Sequence, residues 1–144
     1  MAERVLVTGV TGYIGQHCGA ELLRQGYEVY GTIRSMEKAE AVREGIAKVA
    51  PIDNLTFAAA DLMSDLNWQD AMSGCKYVLH VASPFIIANP DDESEMISPA
   101  VDGTLRVLKA AKAANVERVV VTSSLIAIIA GKSSGHYGTD SWSD

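Results

Sequence analysis

Residues 8–15 read Thr-Gly-Val-Thr-Gly-Tyr-Ile-Gly (TGVTGYIG) and continue directly from the β-branched run at 4–8. Behind them Ile14, Cys18 and Leu22 recur at i, i+4 and i+8, the spacing of a helix face, and Gly26 marks where that helix should stop. A glycine pattern between a strand and the start of a helix has a mechanical meaning that it lacks elsewhere. Gly9 permits a tight turn, Gly12 lets backbone amides approach a pyrophosphate, and Gly15 lets the helix pack close to the sheet. An anion would then sit at the helix N-terminus, at Tyr13 and Ile14, where unpaired N–H groups and the helix dipole favour negative charge. A P-loop is excluded because no Lys-Ser/Thr pair follows the last glycine. Gly131-Lys132-Ser133 has such an ending, but Ile126 stands where its first glycine belongs.

The rest of the chain repeats the alternation of strand and helix. Further strands are expected at 28–33, 55–60, 77–82 and 118–122. Between them come a helix with Ala39, Val42, Ile46 and Val49 on one face, ended by Pro51, and a short helix around 68–72. A loop containing Pro84, Asn89, Pro90, Asp91 and Asp92 leads to a long helix at about 95–114. Strands that are apolar on both faces, each followed by a helix, predict a doubly wound parallel α/β sheet (a Rossmann fold). Such a sheet binds its ligands at the C-terminal strand ends. Residues 1–124 form the dinucleotide-binding domain in this reading. Residues 125–144, ending in GKSSGHYGTDSWSD, are a loop.

The 144 residues carry 18 acids against 12 bases, a net charge of −6, which excludes a basic footprint for nucleic acid or an anionic membrane. Asp91, Asp92, Glu93 and Glu95 read as a solvated loop, and no metal site is expected. Cys18 and Cys75 form no CxxC motif and suit two free thiols in a reducing compartment. MAERVLVTG lacks the basic start and long apolar stretch of a signal peptide. The longest apolar run, at 125–130, is too short to span a bilayer. The expected location is the cytoplasm.

Which dinucleotide is bound is decided at the end of the second strand. An NAD site needs an acid there for the ribose 2′-OH. In EVYGTIRS the acid, Glu28, is at the wrong end, and the C-terminal end presents Arg34 and Ser35, with Lys38 one turn on. A guanidinium suits a 2′-phosphate, so NADP(H) is favoured over NAD(H).

The GxxGxxG spacing, together with TIRS, AADL (59–62), LHVASPF (79–85), LRVLKAAKAA, VVVTSS and DSWSD, resembles the extended short-chain dehydrogenase/reductases. Within that group the likeness is to the dihydroflavonol-reductase, cinnamoyl-CoA-reductase and aldehyde-reductase branch, over essentially the whole chain. It implies that Asp61 and Leu62 hold the adenine, through a carboxylate and a backbone N–H. The competing reading of Asp61 is a helix N-cap. Val81, Ala82 and Ser83 would line the cofactor near the nicotinamide ribose, and Thr122 would lie against it. Ser124 would be the catalytic serine, hydrogen-bonding a substrate carbonyl as hydride arrives. Its neighbour Ser123 faces the other way. His80 reads as a satisfied core histidine.

The resemblance also implies a tyrosine proton donor with a lysine four residues on. Tyr137 is followed at that distance by Ser141, and no lysine follows Lys132. The expectation is therefore the N-terminal part of a longer NADPH-dependent reductase of a small aldehyde or ketone, without the C-terminal strands and substrate domain. Homodimerisation through the long helix is a further expectation of the family. The alternatives are a nucleotide-sugar epimerase or dehydratase, which AVDGT in place of NVxGT weakens, and a non-catalytic NADP(H)-binding protein.

Overall fold

The computed structural model describes residues 2–84 and 91–143; Phe85, Asn89 and Pro90, named above, lie outside the described residues. The elements run β1 (Arg4–Thr8), α1 (Tyr13–Arg24), β2 (Glu28–Ile33), a 3-10 turn (Met36–Lys38), α2 (Ala39–Ala47) and β3 (Leu55–Ala59). They continue α3 (Trp68–Met72), β4 (Tyr77–His80), α4 (Ser94–Ala113), β5 (Arg118–Val121) and α5 (Ile126–Ile129). All five strands are parallel, in the order β3-β2-β1-β4-β5. The direction of winding reverses between β1 and β4, which leaves a crevice at their C-terminal ends.

Alternation along the strands divides the core in two. Val5 and Val7 of β1 join Val29, Ile33 and Leu55 beneath α1 and α2. Leu6 faces the other way, into a cluster with Trp68, Met72, Val78, Val107 and Ala111 beneath α3 and α4. This two-sided burial explains why β1 reads as a continuous apolar run, whereas β5, equally apolar, is largely exposed. It also separates the cysteines, since Cys18 packs on the first cluster and Cys75 belongs to the second. Among the described residues no helix is long and apolar enough to cross a membrane.

The fold agrees with the predicted doubly wound sheet, and the differences are local. The buried face of α1 is Gly15, Gly19 and Leu23 with Ala20, one residue on from the predicted stripe, and Ile14 is exposed. At Gly15 the helix lies against the backbone of Gly9 and Val10 and leaves no room for a side chain, while Gly19 has only ordinary contacts and Leu23 packs into the core. Helix α2 ends at Ala47, because the N–H groups of Val49 and Ala50 both turn back to the Ile46 carbonyl. Val49 therefore leaves the apolar face and is exposed. Residues 126–129, expected in a loop, form a single helical turn. Strand β4 stops at His80, two residues early, for a reason that lies in the site.

Candidate functional site

A cleft of about 870 Å³ opens at the C-terminal ends of β1 to β4. Its floor is the glycine turn. Gly9 has φ +71°, and the Gly12 N–H donates to its carbonyl at 2.9 Å, closing the turn. A Cβ on Gly9 would stand 2.9 Å from the Ala82 Cα, and one on Gly15 only 2.2 Å from the Gly9 carbonyl oxygen. Backbone thus occupies the space that any side chain would need. Helix α1 begins at the cleft with no side-chain cap and no acid in its first turn. Its N–H groups and positive dipole end are left to a ligand, an arrangement suited to a pyrophosphate.

The opposite wall is set by one hydroxyl. Thr8, fully buried at the end of β1, accepts the backbone N–H groups of both Val81 and Ala82 at 3.0 Å. These amides are diverted from the sheet ladder, which is why β4 ends at His80 and the chain turns along the cleft. With two N–H donors on its oxygen, the Thr8 O–H is left to donate to the His80 Nδ1, 2.8 Å away. That fixes a neutral imidazole with its proton on Nε2. Burial pushes the His80 pKa down, in the same direction. His80 is therefore a buried, hydrogen-bonded member of the core, as read from the sequence.

Two predictions follow from this wall. Thr8→Val keeps the shape but strands two part-buried N–H groups and the buried His80 Nδ1, and should cost about 3 kcal/mol by urea denaturation. In the unfolded chain His80 takes its proton near pH 6.5, whereas the folded chain holds it neutral to lower pH. Acid thus favours the unfolded chain: this contribution is complete above about pH 6.5 and is lost as pH falls toward the folded-state value. Urea midpoints at pH 7.5 and 5.5 should differ more for the native chain than for His80→Asn.

At the far end of the cleft, Arg34 projects from the end of β2, exposed, and among the described residues no carboxylate pairs with it. Facing it is the loop after β3, with Ala60, Asp61, Leu62 and Met63 on the wall. Asp61 Oδ1 accepts the Met63 N–H at 3.0 Å in a local turn. It is not the cap of α3, whose N-cap position is Asn67. The Leu62 N–H finds no acceptor among the described residues and remains available.

Of the residues singled out from the sequence, Gly9, Gly12, Tyr13, Ile14, Gly15, Arg34, Asp61, Leu62, Val81, Ala82 and Ser83 all line this one cleft. Lys38, Thr122 and Ser124 do not. Lys38 closes the 3-10 turn. Thr122 donates its N–H to the His80 carbonyl just past β5. Ser124 and Ser83 each stand three residues beyond the His80–Val121 pair of the β4–β5 ladder, at neighbouring strand ends. The Ser124 Oγ accepts the Ile126 N–H at 3.3 Å, and among the described residues its O–H has no acceptor. Thr8, Thr11, Met63 and Trp68 were missed. Trp68 offered one signal: a buried indole needs an acceptor for its N–H.

Residues 5–141 match the NAD dependent epimerase/dehydratase family. Dihydroflavonol 4-reductase of Hordeum vulgare is 35% identical over 142 residues, covering 97% of this chain and 40% of its own length. Anthocyanidin reductase of Arabidopsis thaliana is 32% identical, covering 99% of this chain and 43% of its own. The crystal structure of a yeast methylglyoxal/isovaleraldehyde reductase complexed with NADPH superposes with a TM-score of 0.80 at 33% identity. It covers 96% of this chain and 43% of that one. The chain therefore spans less than half the length of these relatives.

Proposed function

Because the chain belongs to the NAD dependent epimerase/dehydratase family, we propose that it is the cofactor-binding part of an oxidoreductase that reduces the carbonyl of a small aldehyde or ketone. NADPH, when bound, supplies the hydride. The observation that carries the reading is the pairing, in one cleft, of an uncapped helix N-terminus behind the Gly9–Gly15 turn with Arg34 at the end of β2, unpaired among the described residues. The first suits a pyrophosphate and the second a 2′-phosphate. The names of the relatives above, all reductases, support the same reaction class.

The chain's own residues divide the work. The amides at Tyr13 and Ile14 hold the pyrophosphate. Asp61 and the Leu62 N–H take the adenine, Arg34 takes the 2′-phosphate with Lys38 adding charge nearby, and Val81, Ala82 and Ser83 shape the nicotinamide end beside Thr122. Ser124 donates its O–H to the substrate carbonyl and stabilises charge building on that oxygen. The proton must come from elsewhere, because the Tyr137 hydroxyl is turned to the Ser133 carbonyl and Ser141, not a lysine, stands four residues on. On this reading these 144 residues alone bind cofactor without turning over. The free thiols of Cys18 and Cys75, on opposite faces of the sheet, suit a cytoplasmic setting. Helix α4 exposes Ile97, Val101 and Leu105 at i, i+4 and i+8, the face through which two copies would associate.

The test is the infrared carbonyl stretch of benzaldehyde mixed with the chain and NADP⁺. Donation from Ser124 shifts the bound carbonyl to lower frequency, and Ser124→Ala removes the shift. A bound carbonyl with the same stretch in both proteins refutes the assignment. NADPH absorbance at 340 nm should stay constant on adding aldehyde, and a steady fall would show that the proton donor is within these residues.

A further inference from the structure

The adenine wall of the cleft is a loop with no regular structure, yet it is tied at several points. From within, the Trp68 indole N–H is shared between the carbonyls of Asp61 and Ser64, each 3.0 Å away. The Asn67 side-chain amide donates to the Ala59 carbonyl at 3.0 Å, which holds Asn67 in its left-handed conformation, φ +68°. From outside, the loop is gripped by α4. The Arg106 guanidinium donates both to the Leu62 carbonyl and to the Asp65 carboxylate. Three residues earlier, Gly103 lies against the same loop, and a Cβ there would stand 3.1 Å from the Leu62 Cβ.

Arg106 does not line the cleft. Its side chain is 20% exposed and bonded to two acceptors, while Asp65 is 87% exposed. A planar fork that bonds one backbone carbonyl and one carboxylate fixes position and rotation together, which an ammonium could not do. The hydrogen bond from Arg106 also holds the Asp65 carboxyl below its ordinary range. The bonded carbonyl belongs to Leu62, and the next backbone group on that wall is the available Leu62 N–H.

We propose that Arg106 is a positioning residue for nucleotide binding: reaching from α4 behind the cleft, it clamps the Leu62–Asp65 segment so that the Leu62 N–H and the Asp61 carboxylate face the adenine. The inference rests on the cofactor reading given above. It makes α4 a determinant of cofactor affinity, although that helix contributes no cleft-lining residue.

The experiment compares the native chain with Arg106→Met, which keeps the aliphatic stem and removes the donors, and with Arg106→Lys. Calorimetry with adenosine 2′,5′-bisphosphate and with NADPH reads affinity. Trp68 emission, in a Trp142→Phe background, reads the loop itself. Arg106→Met should weaken both ligands by the same factor, about tenfold, since only the adenylate half touches the loop. Its unliganded Trp68 emission should shift to the red as the loosened loop lets water reach the buried indole. Arg106→Lys should fall between the two. A purely structural arginine would lower the melting temperature but leave the folded chain's affinity and emission unchanged, and that result overturns the proposal. If Arg106→Met does not fold, Arg106→Lys decides, and equality with the native chain overturns the clamp. A native chain that binds neither ligand overturns the cofactor reading and the clamp with it. A native chain that binds, with variants that bind equally well, overturns the clamp alone.

Discussion

Arg34→Ala should weaken NADPH binding about 100-fold while leaving NADH within about twofold. The guanidinium ends β2 on the rim of the cleft, exposed and unpaired among the described residues, so no internal ion pair competes for it. Hydrogen bonds to a charged group contribute roughly 1.5–3 kcal/mol each, and a bidentate contact to a phosphate reaches the upper part of that range. About 2.7 kcal/mol is a factor of 100. NADH has no phosphate there and so gains nothing from the arginine. Lys38→Ala should reduce NADPH affinity less than threefold, because Lys38 lies off the cleft wall. Fluorescence titration of the three proteins with both cofactors measures these ratios directly. Equal losses for both cofactors on Arg34→Ala would mean that Arg34 supports the fold or the pyrophosphate and does not read the 2′ position.

The second large effect is expected at Gly15. Alanine inside a helix is normally favoured over glycine by about 1 kcal/mol. At Gly15 the new methyl would lie 2.2 Å from the Gly9 carbonyl oxygen and 2.9 Å from the Val10 Cα, both backbone. Neither can move without opening the turn that aims α1 at the cleft. Gly15→Ala should therefore destabilise by about 3 kcal/mol net, and the folded fraction should bind NADPH at least tenfold more weakly. Gly19, one turn on, is the control. A methyl there meets its first atom, the Ile46 Cδ1, at 3.5 Å, an ordinary contact. Gly19→Ala should gain between about 0.5 and 1 kcal/mol by urea denaturation and leave binding unchanged.

The contrast between these two glycines shows what could be read from the chain alone. Periodicity placed every strand and each of the longer helices, and the glycine turn and Arg34, read from spacing, line the same cleft as Asp61–Leu62, which only the family resemblance pointed to. Periodicity could not show that α1 presents its small residues to the sheet, because a large apolar stripe at Ile14, Cys18 and Leu22 fits the same helical spacing. Tertiary closeness decided that. Thr8 looked like the last residue of a strand, and only the bend of the chain after His80 gives its hydroxyl three partners. Arg106 was one of several polar residues on a long helix, and its grip on Leu62 spans 44 positions in sequence. Contacts of that range leave no trace in local pattern.

On the proposed reading, the cleft takes NADP(H) through its glycine turn and Arg34. The most direct test is a titration of the 144-residue chain with NADPH and with NADH, followed by cofactor fluorescence at equal protein concentration. Saturable binding of NADPH, at least tenfold tighter than NADH, is the predicted result. Equal affinity for the two cofactors, or no saturable binding of either, would contradict it.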